Sequence, residues 1–144
     1  MSLWNNSAPE ERITLWRSFR EEIQLLEQDD QLNKIAEFFA EFPIGSRCID
    51  YYTPNSWPTP WEILYHKLFC QNTISLLIFH TLCALMPDRD VKIFLIEDER
   101  DRYLVPVIDN KYIFNFELGL ISKLHDPRIK VIDRFEDETM SYIR

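Results

Sequence analysis

The chain contains very little glycine: only Gly45 and Gly119 occur among its 144 residues. Dinucleotide-binding fingerprints and phosphate-binding P-loops need several glycines at fixed spacing, because the backbone must turn tightly and approach a phosphate closely. Two glycines so far apart cannot form either motif. The sequence therefore excludes both of these nucleotide-binding classes, and we expect no cofactor.

Cysteine is also scarce, and its spacing fits no framework. Cys48, Cys70 and Cys83 are odd in number and include no Cys-x-x-Cys pair, which argues against a disulfide scaffold and against a zinc ribbon. The N-terminal sequence lacks the basic region and the apolar stretch of a secretory signal. These features predict a protein of a reducing compartment, with a cytoplasmic location.

The sequence also lacks long apolar runs and has fewer basic than acidic residues. The longest apolar run, Ile74–Met86, has about 13 residues, whereas a membrane-spanning helix needs ~20. Sixteen Lys and Arg against 24 Asp and Glu give a net charge of −8, which opposes binding to a phosphate backbone. We therefore expect neither a membrane nor a nucleic acid as partner. The aromatic content of 14% is typical of an ordered protein, and we predict a single domain over 1–144.

The first predicted unit is a helical hairpin over residues 1–42. The capping-box pattern Ser7–Glu10 predicts the start of an amphipathic helix that runs to about Gln28. Asp29 and Asp30 are suited to cap a second helix. Apolar residues recur at intervals of three and four in both segments, which indicates that each helix buries one face.

An aromatic and proline-rich loop is predicted over residues 43–60. Thr59 or Ser56 can cap a short helix that begins near Pro60. Within the segment 61–86, the stretch from Cys70 onward would be apolar on almost every face of a helix. A helix of that kind must form the buried centre of the domain.

A small antiparallel sheet of about four strands is predicted over residues 90–135. The predicted strands are Val91–Ile96, Tyr103–Ile108, Lys111–Phe116 and Ile129–Asp133. Asp109 and Asn110 tolerate positive φ and form a hairpin turn between the second and third strands. We expect Leu118–Leu124 to form a helical turn. Because helices come first and strands second, the pattern predicts an α+β fold.

Cys70, at the predicted N-terminus of the buried helix, is the best candidate for a reactive residue. Unpaired amides and the helix dipole favour a thiolate there, although cysteine is also a common core residue. Glu62, His66 and Cys70 would form a row of acid, base and nucleophile if the two helices were continuous. His80 and Cys83 are spaced like metal ligands, but no second pair completes a site, so we predict no metal.

The order of parts in residues 60–116 resembles the transglutaminase-like, papain-related family. The resemblance lies in a cysteine that opens a buried helix and in a hairpin that follows it. These segments read Phe69-Cys70-Gln71-Asn72-Thr73-Ile74-Ser75-Leu76-Leu77 and Tyr103-Leu104-Val105-Pro106-Val107-Ile108-Asp109-Asn110-Lys111-Tyr112-Ile113-Phe114-Asn115. In active members the first hairpin strand begins with the catalytic histidine, and the second ends with an Asp or Asn that orients it.

The resemblance implies that Cys70 is the nucleophile and that Asn115 stands near the orienting position. Asp101, Arg102 or Tyr103 then occupies the place of the histidine, and no histidine occurs in that strand. The Gly-x-Cys context of active members is also absent. Without an imidazole to accept the thiol proton the triad is incomplete, so the resemblance implies a degenerate, catalytically silent member.

The aromatic segment Tyr51–Glu62 resembles small proteins of tailed bacteriophages. That resemblance implies a virion component or an assembly factor, located in a virion that is assembled in a host cytoplasm. Tyr51, Tyr52, Trp57 and Trp61 are of types enriched at binding hot spots. We predict that they bind other protein subunits of an assembly.

The sequence leaves three hypotheses about function. The first is a non-catalytic structural protein, not an enzyme, that acts through protein contacts. The alternative is a cysteine-dependent hydrolase or acyl-transferase, with Cys70 as nucleophile, His66 or His80 brought near it by the fold, and Asn115 as the orienting residue. The third is a small-ligand sensor that uses the pocket of a lost active site. The missing strand histidine favours the first.

Overall fold

The computed structural model describes Trp4 and residues 7–135, and the other residues of the predicted domain 1–144 lie outside the described residues. Helices come first and strands second, which confirms the predicted α+β fold. The helices are α1 (Pro9–Ile23), α2 (Gln28–Ala40), a single 3₁₀ turn (Pro54–Ser56), α3 (Pro60–His66) and α4 (Gln71–Leu85). The strands are β1 (Val91–Glu97), β2 (Arg102–Ile108), β3 (Tyr112–Ile113), β4 (Ser122–Lys123) and β5 (Lys130–Phe135). None of the helices in this described part is long and apolar enough to cross a bilayer.

The first two helices begin close to the predicted positions, but their caps differ. Ala8, not the predicted serine before it, precedes α1, and its amide donates to the Glu11 carboxylate at 3.3 Å. Glu27 precedes α2, so Asp29 and Asp30 lie inside its first turn. Carboxylates in a first turn still interact favourably with the helix dipole. The sequence pattern therefore predicted the elements correctly and misplaced the capping residues.

The sheet has five strands rather than four, in the order β4-β3-β2-β1-β5, and every pair is antiparallel. The predicted third strand is cut to Tyr112–Ile113, because Asn115 adopts a positive φ of 63°. The predicted helical turn at Leu118–Leu124 contains β4 instead. Gly119 lies in that segment with a φ of 75°, which an α-helix does not permit.

Helix α4 is buried between the sheet on one side and the other helices on the other. Its polar side chains are satisfied inside the core, as burial requires. Asn72 Oδ1 accepts from the Leu104 amide at 2.9 Å, and Ser75 Oγ donates to the Leu104 carbonyl at 2.7 Å. Thr81 Oγ1 accepts from the Trp16 indole at 2.9 Å. These bonds fix α4 against β2 on one face and against α1 on the other.

Arg12 joins α1 to α3 although its side chain is buried, with 3% of its surface exposed. Its guanidinium donates to the carbonyl oxygens of Ser7, Leu64 and Tyr65 over 2.5 to 2.7 Å. A planar group with donors in a fixed fork suits three such carbonyls. Arg12 therefore holds the N-terminal helix on the short helix that precedes the Cys70 turn.

We expect Arg12→Met to lower the free energy of unfolding by at least about 2 kcal/mol, because three carbonyl oxygens lose their donor in a buried place. Urea denaturation monitored by circular dichroism measures the change. The matched control is Arg17→Met on the exposed face of the same helix, which should change stability by less than about 0.5 kcal/mol. Equal effects of the two variants would contradict the role of Arg12.

Candidate active site

Cys70 caps the N-terminus of the buried helix, as the sequence predicted. Lys67 ends α3 in the left-handed conformation, with φ of 54°, so the chain turns before α4 begins at Gln71. Cys70 Sγ accepts from the Thr73 amide at 3.4 Å, and the Cys70 amide donates to Thr73 Oγ1 at 2.9 Å. These two bonds form a reciprocal cap. Only 1% of Cys70 is exposed.

The segment around Cys48 covers the Cys70 sulfur. The Gly45 amide donates to the Phe69 carbonyl at 2.8 Å, and Cys48 Sγ contacts the Leu68 carbonyl at 3.5 Å. A Cβ at position 45 would lie 3.2 Å from that Phe69 oxygen, so the close approach favours glycine. The backbone amide and the thiol of Cys48 both act on the pKa of the Cys70 thiol.

These hydrogen bonds decide which of the two thiols ionises. Burial alone would raise the pKa of the Cys70 thiol, but hydrogen bonds from the Cys48 and Thr73 amides and side chains outweigh it and hold that pKa below its ordinary value. Burial and the contact with Cys70 raise the pKa of the Cys48 thiol to about 11. Of the two thiols, Cys70 is therefore the one that ionises at lower pH.

Asn115 lies beside the first turn of α4, close to the cysteine. Its Nδ2 donates to the Gln71 carbonyl at 2.8 Å and to Ser75 Oγ at 2.9 Å. The Gln71 side chain returns a bond to the Asn115 carbonyl at 3.4 Å. The fold thus brings together the cysteine and the asparagine that the resemblance pairs.

The position expected to hold the histidine carries Arg102. Leu104 packs on the α4 side of the sheet and Tyr103 on the opposite side, so by strand alternation Arg102 faces the α4 side. Its guanidinium donates to Glu97 at 2.9 Å and to the Tyr52 hydroxyl at 2.8 Å. An arginine cannot accept a proton from the thiol.

Tyr103 is held on the far face of the sheet. Its hydroxyl donates to the Asp98 carboxylate at 2.7 Å. Burial and that contact raise the pKa of the Tyr103 phenol. Asp101, the third candidate for the position, is exposed in the turn that joins β1 and β2.

Two of the three histidines lie outside α4, and the third lies on α4 at a distance from the Cys70 sulfur. His66 is the exposed last residue of α3, and the turn at Lys67 breaks the predicted row with Glu62 and Cys70. His80 is ten residues after Cys70, which is about 15 Å along the helix. His125 lines a surface cleft in the segment between β4 and β5. Within residues 7–135, no group of three His, Cys, Asp or Glu is placed to hold a metal ion.

A cleft of about 280 Å³ opens beside the N-terminus of α4. Gln71, Tyr103 and Asn115 line it, together with Ile44 from the segment that covers Cys70. Gln71 follows Cys70 in the chain, so the cleft lies beside the helix terminus that Cys70 caps. It offers a space in which a substrate could bind.

The four predicted docking aromatics are in different surroundings. Trp57 is 3% exposed, packs on Phe135 at 5.1 Å between ring centroids, and donates to the Asp50 carbonyl at 2.9 Å. Tyr51 is half-buried, whereas Tyr52 and Trp61 are exposed at 55% and 46%. Trp57 is therefore a core residue of the loop, and the other three reach the surface to different degrees.

Cys48 and Thr73 are functional residues that sequence reasoning did not identify. Thr73 has a local signal, because it stands three residues after Cys70 where a capping partner belongs. Cys48 has none, since it reaches Cys70 only through the path of a long irregular loop. A long-range contact of that kind has no periodicity to reveal it.

The rate of iodoacetamide reaction at each cysteine of the folded protein, followed by mass spectrometry across pH, tests this ionisation order. A lowered pKa means that the thiolate forms at lower pH, so we expect the Cys70 profile to have its midpoint below ~8.5, the value of a free cysteine. The Cys48 profile should rise only near 11. Protein unfolded in urea is the control, in which both midpoints return to the ordinary value. Ionisation of Cys48 before Cys70 would contradict the assignment.

No protein family and no curated protein matches the sequence, but solved structures match the fold. Calcium-bound LapG of Legionella pneumophila superposes with a TM-score of 0.75 at 19% identity, over 92% of this chain and 78% of that one. A second LapG structure gives 0.72 at 19% identity, over 90% and 75%. EGTA-treated LapG gives 0.72 at 19% identity, over 90% and 74%.

These similarities correct two expectations from the sequence. LapG is a cysteine protease with a transglutaminase-like fold, so the prediction of a non-catalytic structural protein and the prediction that the chain is not an enzyme are contradicted. Both predictions rested on the missing histidine, and hydrogen bonds lower the pKa of the Cys70 thiol without one. The suggested bacteriophage origin has no support. The chain has the transglutaminase-like fold that residues 60–116 predicted.

Proposed function

We propose that the protein is a cysteine-dependent acyl hydrolase in which Cys70 is the nucleophile. The observation that carries the proposal is the Cys70 sulfur, which accepts hydrogen bonds from the Cys48 and Thr73 amides at the start of a buried helix. Such an environment lowers the pKa of the thiol and so favours the thiolate, which is the nucleophilic form. The similarity of the fold to the cysteine protease LapG supports the same chemistry.

The reaction has two covalent steps. The Cys70 thiolate attacks the carbonyl carbon of an acyl substrate, and the leaving group departs with the electron pair of its bond to that carbon. A thioester remains on Cys70. Water then attacks the thioester, which releases the carboxylic acid and returns the thiol.

The lack of an imidazole restricts the substrates. An amine leaving group must be protonated as it departs, which is the task of the histidine in active cysteine proteases. Arg102 stands in its place and stays protonated. Thioesters and activated esters have leaving groups that depart as stable anions, so we propose these as the substrates and expect amides to react slowly.

Access to the sulfur requires the Cys48 segment to move aside. Gly45 and Cys48 bind this segment to the backbone of Phe69 and Leu68, at 2.8 and 3.5 Å. The contact through a sulfur atom is weak, and the Thr73 amide still donates to the Cys70 sulfur when the segment has moved. The cleft beside Gln71 and Asn115 would then connect with the nucleophile.

The direct test is acetylation of the folded protein by p-nitrophenyl acetate. We expect an acetyl group on Cys70, detected by peptide mass spectrometry, and a burst of nitrophenolate close to one equivalent, because acylation of a thiolate precedes slower hydrolysis of the thioester. Cys70→Ala should abolish both signals. Cys83→Ala is the control, since Cys83 lies near the other end of the same helix, and should retain them. Acetylation elsewhere with none on Cys70 would contradict the proposal.

Restoring an imidazole tests the reason for the restricted substrates. We expect Arg102→His to raise hydrolysis of a peptide amide by at least about tenfold, since general acid–base catalysis contributes 10²–10⁴ when well placed. Initial rates on a fluorogenic peptide amide measure the change.

Arg134→His is the matched control, because Arg134 is exposed and lies over the Phe94 ring on the face of the sheet opposite α4. It should leave amide hydrolysis unchanged. An equal gain from both variants, or a gain from Arg134→His alone, would show that the imidazole does not act from the α4 face of β2.

A further inference from the structure

A second cleft lies at the opposite end of α4 from Cys70. Its volume is about 510 Å³, within the range of small-molecule sites. Side chains of α1, α3 and the last turns of α4 line it, and the chain after α4 closes one end. From Cys70 to Ala84, which lines the cleft, the helix rises by roughly 20 Å. The two clefts are therefore separate, and this one takes no part in the proposed acyl transfer.

Two tryptophans and one arginine give the cleft its chemistry. Trp16 is 3% exposed and Trp61 46% exposed, and their rings meet edge to face with centroids 5.3 Å apart. The Arg20 guanidinium lies 4.2 Å from the centroid of the Trp16 ring. The cleft thus combines aromatic surface with a cation stacked on it.

Arg20 lacks an acceptor for part of its guanidinium. Its Nε is buried and has no hydrogen-bond partner within the described part of the chain. Glu21 acts on it only through space, while burial and the neighbouring Arg17 lower the pKa of Arg20. A guanidinium stays charged under these conditions. Arg20 as a whole is half-buried, and a buried donor without a partner on a cation is costly unless an anion binds it.

The other arginine of the cleft is already paired. Arg89 Nε donates to the Asp109 carboxylate at 3.1 Å, and its Nη1 donates to Gln28 at 2.9 Å. Arg20 is therefore the cation available to a ligand at this site. A cationic site is also unexpected on a chain of net charge −8, which repels anions elsewhere on its surface.

We propose that this cleft binds a small planar aromatic molecule that carries a carboxylate or sulfonate group. The anionic group accepts from Arg20, where a planar guanidinium can offer paired donors. The aromatic ring packs against the exposed Trp61 ring where it meets Trp16, because aromatic rings favour edge-to-face and offset contacts.

The test uses anilinonaphthalene sulfonate, a fluorescent aromatic anion, and its uncharged relative N-phenylnaphthylamine. We expect saturable binding of the anion to the folded protein at one site. Arg20→Gln should raise its Kd by about tenfold, the effect of losing one charge-assisted hydrogen bond. Arg17→Gln, on the exposed face of the same helix, should change the Kd by less than about twofold. The Kd of the uncharged probe should be equally insensitive to Arg20→Gln.

A second measurement needs no variant. In the wild-type protein, the sulfonate should shift the indole N–H resonances of Trp16 and Trp61 and leave that of Trp57 in place, since Trp57 does not line the cleft and packs against Phe135. Binding that moves Trp57 and not the other two would overturn the proposal. So would equal losses of affinity in the two arginine variants, or the absence of saturable binding.

Discussion

Polar side chains of helix α4 make hydrogen bonds inside the core. The two bonds to Leu104 fix the position of α4 on the sheet, and both the Cys70 site and the cleft at the other end of α4 depend on that position. Asn72 accepts from the amide of Leu104 and Ser75 donates to its carbonyl. A buried polar group without a partner costs more than the bond itself gains, so any shift of α4 along β2 would leave four groups unsatisfied. The helix is therefore fixed in register. Its N-terminus must lie beside the β2–β3 hairpin, and its C-terminal turns must lie beside α1.

The candidate active site follows from the requirement that a buried helix terminus be capped. The first amides of α4 have no partner within the helix, and Cys70 and Thr73 supply one for each other. Because the segment with Cys48 closes over this terminus, its amide and thiol also point at the sulfur. A structural need to satisfy donors thus stabilises a thiolate. Burial opposes ionisation, but here burial brings the donors that outweigh it.

Periodic signals predicted most of the fold. The apolar run of α4 and the short apolar runs of β1 and β2 are local signals, and these elements appeared where the sequence placed them. Asn115 and Gly119 ended the third strand and prevented the predicted helical turn by adopting positive φ. A backbone conformation of that kind is imposed by packing of distant segments. Composition near those residues therefore could not predict the fifth strand.

The sequence also predicted part of the candidate site, namely the residues that lie in recognisable segments. Cys70 and Asn115 lie in segments whose order and pattern resemble the transglutaminase-like family, and the structure brings them to one helix terminus. Cys48 was not predictable, because only the path of an irregular loop carries it to Cys70. The absent histidine pointed to a silent protein, since the sequence alone showed no other way to ionise the thiol.

In the proposed hydrolase, Arg102 changes the chemistry of the site without abolishing it. A cation on the α4 face of β2 favours nearby negative charge, as an imidazolium would, but it has no lone pair to accept a proton and does not release one. A thiolate stabilised by hydrogen bonds is also a weaker nucleophile than one of ordinary pKa, because nucleophilicity falls as pKa falls. Both effects act in the same direction. The proposed enzyme can therefore still attack reactive acyl groups, but it lacks the proton transfer that amide cleavage requires. Arginine in place of histidine at one position of β2 thus narrows the range of proposed substrates, while the fold stays the same.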